Sequence, residues 1–254
     1  MKQFATLLAI GVLSTSMCPA LVFFSEDFDY PDGVLTAVSG GNWTNFGGST
    51  NELTVSSGQV ALSQAAAQTE DVKRSFGTSI TSGSVYASLD FSVNADSPAS
   101  GGDYEYFVHF STDTDPEFIP RVDIVAPNSG GDFTLGISFG PFAEVTWATD
   151  LLYSTTYNLV IRYNRDTELS TLWIDPTSES DTSITTIAQP GFNYNVNGLN
   201  LRQSTSSPEE IITVDNIFAG TTFADVAPIP EPSTYAALGG FIALGVALLR
   251  RTRR

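Results

Sequence analysis

The stretch from Val85 to Val93 constrains this chain more than any other: Val85, Ala87, Leu89, Phe91 and Val93 alternate with Tyr86, Ser88, Asp90 and Ser92. Successive side chains of an extended strand point to opposite faces, so a period of two buries one face and leaves the other for polar groups. Tyr104 to Phe110 carries aromatics on both faces, as a strand inside a sandwich would. Shorter runs follow at Val122–Val125, Phe133–Phe139, Tyr157–Tyr163, Leu169–Ile174, Leu199–Leu201 and Ile211–Phe218. Turn-forming clusters separate them: Ser39-Gly40-Gly41-Asn42, Pro98 to Asp103, Asn128 to Asp132 and Pro176 to Asp181. Nothing between Leu21 and Val226 sustains a stripe at helical spacing. Many short strands joined by polar turns predict an all-β fold, an antiparallel β-sandwich or jelly roll. A segment of about 205 residues is long enough to close one large core without disulfides.

The two ends obey different rules. Met1-Lys2-Gln3 is a short basic start, Phe4 to Leu13 is apolar, and Ser14, Thr15, Ser16, Cys18, Pro19 and Ala20 are small or turn-forming. That layout predicts a secretory signal peptide over residues 1–20, cleaved after Ala20. Cleavage there removes Cys18, the only cysteine, and with it any thiol or disulfide chemistry. Residues 227–254 form a tail, beginning in a proline-rich linker that contains Pro230-Glu231-Pro232. Ala236 to Leu249 is uncharged and apolar all round, which suits lipid or a protein core. From Thr234 to Leu249 a helix would reach roughly 24 Å, short of the ~30 Å hydrocarbon layer. Tyr235 at the interface and snorkelling arginines can make up the difference. The expected element is one C-terminal transmembrane helix. Arg250, Arg251, Arg253 and Arg254 then form a basic stop on the cytoplasmic side.

Pro230-Glu231-Pro232, one apolar helix and a terminal arginine cluster resemble the PEP-CTERM sorting signal of Gram-negative bacteria, over roughly residues 228–254. The resemblance implies an exosortase as processing partner, a membrane cysteine protease-transpeptidase that removes the tail near the Pro-Glu-Pro motif. It also implies an inner-membrane-anchored precursor that is released to the cell surface or to an exopolysaccharide matrix (a biofilm component).

Residues 21–226 resemble a concanavalin A-like, or laminin-G-like, jelly roll. Three segments carry that likeness. Glu26-Asp27-Phe28-Asp29-Tyr30, followed by Gly33, Gly40-Gly41 and Trp43, is similar to the opening strand of such domains. Tyr157 to Tyr163 with Leu172 to Pro176 is similar to their central hairpin. Val214-Asp215-Asn216-Ile217 and Gly220 to Val226 are similar to their closing strand.

Charge limits what this domain can touch. All 28 acidic residues lie between Leu21 and Glu231, against Lys73, Arg74, Arg121, Arg162, Arg165 and Arg202, so 6 − 28 gives −22. Such a field repels nucleic acid and anionic lipid. It favours cations, and calcium wants six to eight oxygens from carboxylates and carbonyls. First and last strands of jelly rolls often lie together, so Asp27 or Asp29 with Asp215 is the expected calcium set; no cofactor is otherwise required. Asp215-Asn216 equally suits a side-chain-capped turn.

Catalytic patterns are weak. A retaining glycosidase needs two carboxyl groups about 5–5.5 Å apart on one face. Asp103-Tyr104-Glu105 has the period without a third acid, and Glu209-Glu210 point to opposite faces of a strand. His109, the only histidine, has no nucleophile-elbow motif to serve, and no Cys/His cluster suits zinc. Sugars stack on exposed aromatic faces, which makes Trp43 and Trp147 the candidate carbohydrate contacts, with Tyr104, Tyr153 and Tyr194 behind them; Trp173 is expected in the core. The expectation is a secreted, non-enzymatic surface or matrix protein. A lectin-like carbohydrate-binding module is the alternative, and a glycan-acting hydrolase stands behind both.

Overall fold

The computed structural model describes residues 21–66, 69–99, 105–113, 118–139, 145–188, 191, 193–206 and 208–227. The signal peptide and the sorting tail, including Pro230, Glu231, Pro232 and the four terminal arginines, lie outside the described residues, as does Tyr104. Among the described residues, no helix is long and apolar enough to cross a membrane.

The chain enters through β1 (Val22–Glu26), β2 (Gly33–Val34), the single-turn α1 (Leu35–Val38), β3 (Trp43–Gly47), β4 (Thr54–Ser56) and β5 (Gln59–Ser63). Longer strands follow: β6 (Asp71–Ile80), β7 (Ser84–Asn94), β8 (Glu105–Thr112) and β9 (Phe118–Val125). Then come β10 (Thr134–Ser138), β11 (Val145–Thr146), β12 (Tyr157–Asn164), β13 (Leu169–Ile174) and β14 (Ile184–Thr185). β15 (Val196–Leu201), β16 (Ile211–Gly220) and α2 (Phe223–Val226) close the described chain.

Two antiparallel sheets result, and they form a legume-lectin-like sandwich. One has nine strands in the order β14-β13-β12-β7-β16-β5-β4-β2, with β1 added along β16. The other has seven, ordered β11-β10-β9-β8-β15-β6-β3. The period-two residues of β7 do what their spacing predicts: Val85, Ala87, Leu89, Phe91 and Val93 all enter the inter-sheet core. From the other sheet Val72, Val108, Val122, Ile137 and Leu201 meet them.

A second, smaller cluster lies on the outer face of the nine-stranded sheet. Tyr86, Val160 and Trp173, one residue out of phase with the core positions, are covered by Phe223 and Val226 of α2. Thr222 and Asp225 form a capping box at the start of that turn, and Ser88 Oγ donates to the Val226 carbonyl at 2.6 Å. Trp173 is therefore buried as expected, but beneath the closing turn rather than between the sheets.

The opening strand differs from expectation. Glu26 ends β1 instead of beginning it, and Asp27 to Tyr30 lie beyond the strand. The reason is local: Glu26 Oε1 accepts the Phe28 amide at 3.0 Å, and Phe28 takes the left-handed conformation with φ of 50°. A side-chain acceptor that captures the amide two residues on turns the chain out of the ladder.

Candidate functional site

The register of the seven-stranded sheet builds the site. Val72, Leu201, Val108, Val122 and Ile137 are cross-strand partners on β6, β15, β8, β9 and β10, and all five face the core. The next row, one residue along each of those strands, is Lys73, Asn200, His109, Arg121 and Ser138. Neighbouring residues of a strand point to opposite faces, so this second row lies on the outer face of the sheet. Tyr106 and Asp123, another cross-strand pair, sit beside it, and Arg202 follows Leu201 at the end of β15.

An outer sheet face is ordinarily wet, yet this one is largely withdrawn from solvent. Asn200, Asp123 and Ser138 have no exposed surface and His109 has 1%. Lys73, Arg121 and Arg202 are half-buried. The guanidinium groups of Arg121 and Arg202 stack on the Tyr106 ring at 4.3 and 4.1 Å, so one aromatic surface orients two cations. Ser138 Oγ donates to Asp123 Oδ2 at 2.9 Å. Lys73 Nζ donates to Asn197 Oδ1 at 2.8 Å, and its stem lies over Gly198. A Cβ at Gly198 would stand 2.8 Å from Lys73 Cε and 2.7 Å from the Arg74 carbonyl, so only glycine admits this arrangement.

Burial, reinforced by the nearby Arg121, Arg202 and Lys73 charges, drives His109 down to about 3. The imidazole is therefore neutral near pH 7. Its Nδ1 lies 2.9 Å from the Phe110 carbonyl and must carry the proton to donate there, which makes Nε2 the acceptor nitrogen. Asn200 is different again: neither its Nδ2 nor its Oδ1 has a hydrogen-bond partner, although the side chain is wholly buried. Ser111 Oγ, opposite Gly198 on the same sheet, shares that condition.

The residues expected to contact sugar are elsewhere. Trp43 is 1% exposed, and its Nε1–H donates to Glu26 Oε2 at 2.9 Å. That carboxylate also accepts the Tyr30 hydroxyl at 2.9 Å and is ion-paired with Arg74, so Trp43 is part of a buried network tying β1, β3 and β6. It offers no open face to a sugar. Trp147 is half-buried against the inter-sheet core. Tyr153 stacks on Phe133 at 5.5 Å and Tyr194 on Phe139 at 6.2 Å, which commits those rings to packing.

Of the expected calcium ligands, Asp27 and Asp29 follow β1 and Asp215 lies in β16. β1 does pair with β16, and the Asp27 charge acts on Asp215. Burial, and then the neighbouring Asp90 and Asp27 charges, push the Asp215 carboxyl up. Asn216, in the left-handed conformation at a bulge of β16, places its amide on Asp90 Oδ2 at 2.9 Å. Asp27 Oδ1 accepts the Asp29 amide at 3.3 Å, so that pair serves its own turn. Among the described residues, no group of three or more His, Cys, Asp or Glu side chains is placed to hold a metal.

Comparison with solved structures agrees with the sandwich. Peanut lectin, in a complex with a nine-residue peptide, is 12% identical, aligns over 80% of this chain and 98% of its own, and has a TM-score of 0.50. Basic winged bean lectin with Tn-antigen gives the same values: 12% identity, 80% and 98% coverage, and a TM-score of 0.50. At such identity the likeness establishes the fold alone. No protein-family model matches the chain, and none of the curated proteins does.

Sequence reasoning missed this site. His109 drew notice only as an isolated histidine, and Lys73, Arg121, Asn200 and Arg202 are scattered over some 130 positions. Their one shared signal is the outward phase of each strand, which becomes a row only when the pairing register is known.

Proposed function

We propose that this protein is an exported carbohydrate-binding protein of the bacterial surface or exopolysaccharide matrix, and that it holds glycan along the outer face of the seven-stranded sheet. The observation that carries this reading is the transverse row Lys73, Asn200, His109, Arg121 and Ser138. It sets donors and acceptors in line across five adjacent strands, and the wholly buried Asn200 amide is unpaired on both sides. Sugar hydroxyls donate and accept at once, so they suit a face that mixes amide, imidazole, hydroxyl and cationic groups, of which Lys73, Arg121 and Arg202 are the members that reach solvent. The sandwich is also a fold on which plant lectins are built.

Export rests on the sequence: the basic-apolar-small pattern of residues 1–20 and the tail of residues 227–254 with Pro230-Glu231-Pro232. Exosortase would release the domain outward from its membrane anchor. The described chain is consistent with such release, because α2 closes the fold before the proline linker begins. The reading assigns no catalytic step.

Affinity electrophoresis against a panel of neutral and acidic polysaccharides tests binding. Retardation by at least one polymer, weakened in Asn200→Ala, is the expected result; migration unchanged by every polymer rejects the reading. For export, replacing Pro230, Glu231 and Pro232 by alanine should leave the protein in the inner membrane. Surface display equal to wild type would reject exosortase as the partner.

A further inference from the structure

We infer that a groove across the outer face of the nine-stranded sheet is a second glycan site, one that takes a neutral, hydroxyl-rich polysaccharide. This goes beyond the reading above, because the groove lies on the opposite sheet and shares no residue with the transverse row. The first observation is a pair of cavities that meet at Asn216. One, of about 110 Å³, lies among Asp90, Ser92, Thr213 and Asp215. The other, of about 200 Å³, lies between Asp27 and Phe218, and Asn216 lines both. The phase of β7 leaves this ground open. Tyr86, Ser88, Asp90 and Ser92 all point outward. α2 covers the first two: Phe223 packs on Tyr86, and Ser88 is buried against the Val226 carbonyl. Asp90 and Ser92 lie beyond that cover and keep contact with solvent, and Asp215 and Thr213 continue the face as their cross-strand partners on β16.

The second observation is that the groove is rich in acceptors. Among the described residues, no lysine or arginine lines either cavity. Asp90 and Asp215 stand directly opposite one another, and like charges so placed are destabilising. Amide donors offset part of that repulsion. Asn158 Nδ2 donates to Asp90 Oδ1 and Asn216 Nδ2 to Asp90 Oδ2, both at 2.9 Å, and the Asn216 amide donates to Asp215 Oδ1 at 2.7 Å. These bonds also fix the two carboxylates, and a carboxylate oxygen with one donor has room for another. A ligand entering here must therefore bring donors, which excludes an anion. A point cation finds no convergence, since among the described residues no three acidic side chains are grouped to hold one. Acceptors spread along a groove suit spread donors. Adjacent hydroxyls of one sugar ring can donate to Asp90 and Asp215 through charge-assisted bonds. The half-buried Phe218 supplies an apolar wall for the face of the next sugar.

The third observation is the backbone at Asn216. The β16 register shifts between Asp215 and Phe218, and Asn216 has φ of 49°. A bulge re-aims the side chain it inserts. Here it sets an exposed amide between the two cavities, where one residue borders two successive sugars.

The test uses the full-length protein in detergent at about 0.15 M salt, with biolayer interferometry against immobilised dextran, mixed-linkage β-glucan, galactomannan and, as a cationic polymer, glycol chitosan. At least one neutral polymer should bind. Asn216→Gly removes the amide and keeps the left-handed backbone, which glycine adopts freely; Asp90→Asn removes the charge and keeps the shape. Each should weaken binding at least tenfold with the near-ultraviolet circular dichroism of the fold retained. If Asp90→Asn does not fold, Asn216→Gly decides alone. Unchanged affinity in a folded Asn216→Gly protein, with loss in Asn200→Ala, overturns the inference and leaves the transverse row standing. Loss in the groove variants with none in Asn200→Ala upholds the inference and rejects the row. If Asn216→Gly weakens only the binding of glycol chitosan, the groove serves cations and the inference is overturned. No binding to any neutral polymer overturns it as well.

Discussion

Replacing Glu26 by alanine should destabilise this protein more than any other single change at a polar residue. The carboxylate side chain is 3% exposed and receives four donors: the Phe28 amide, the Tyr30 hydroxyl, the Trp43 indole N–H and the Arg74 guanidinium. Arg74 is itself only 14% exposed, and its guanidinium sits 4.7 Å over the Phe24 ring. Removing one partner of a buried pair typically costs about 3–5 kcal/mol, because the other charge stays buried without compensation. Against a total stability of about 5–15 kcal/mol, that is a third or more. With a urea dependence near 3 kcal/mol per molar, the upper end for single domains, the unfolding midpoint should fall by about 1–1.7 M.

Two further variants sharpen the argument. Arg74→Ala should cost less than Glu26→Ala, since Glu26 keeps three hydrogen-bond donors after the guanidinium is gone. Glu26→Gln should still cost about 2 kcal/mol, because a carboxamide has one acceptor oxygen and must turn its NH2 toward at least one existing donor. Urea titrations followed by tryptophan fluorescence measure all three. A midpoint shift under about 0.3 M for Glu26→Ala, or strict additivity of the Glu26 and Arg74 effects, would refute the claim that this network fastens β1 to β3 and β6.

Phe223→Ala should cost about 3 kcal/mol by opening the cluster over Trp173, measurable as a lower thermal midpoint, whereas truncation after Ala227 should leave that midpoint unchanged. His109 should make stability fall in acid. Its folded value of about 3 lies below the ordinary 6.5, so its contribution is complete above pH 6.5 and is lost as pH falls toward 3. Between pH 6.5 and 4.5 wild type should lose about 2–3 kcal/mol more than His109→Gln in paired urea titrations; parallel losses would refute it. Gly198→Ala should push Lys73 off the sheet and separate β15 from β6, seen as faster amide exchange in both strands. Asp150→Ala should free the amides of Asn128, Ser129, Gly130 and Gly131, which that carboxylate now gathers and which hold its own titration well below the usual range; faster exchange at those four amides checks it.

The strands that alternate strongly are legible in the sequence, and Leu169–Ile174 is found with the expected bounds. The sandwich is legible too, because many short amphipathic strands have few other ways to bury their apolar faces. Those that escape notice lack that contrast: β6 buries only Val72 and Phe76 of its ten residues and contains Gly77 in a left-handed conformation. Trp43 illustrates a subtler failure. A tryptophan among Gly, Asn and Thr looks like a surface platform, and nothing nearby in sequence reveals that Glu26 and Arg74, 17 and 31 positions away, enclose it.

The candidate site fails to show in sequence for a stronger reason. Motifs such as paired catalytic carboxylates are local because one strand or turn carries the reacting groups. A row across a sheet takes one residue from each strand, and the chain order of the strands is unrelated to their order in space. Here Lys73, Asn200, His109, Arg121 and Ser138 become neighbours only because β15 inserts between β6 and β8. The same geometry gathers Lys73, Arg121 and Arg202 of an acidic domain on one sheet face. A residue added to the surface changes the net charge wherever it lies, but contact recognition depends on register. Shifting any one strand by a single residue would turn its member of the row into the core and expel a core residue in its place. The polar row and the apolar core thus enforce one another's register, and a ligand bound along the row would stabilise the same pairing that buries the core.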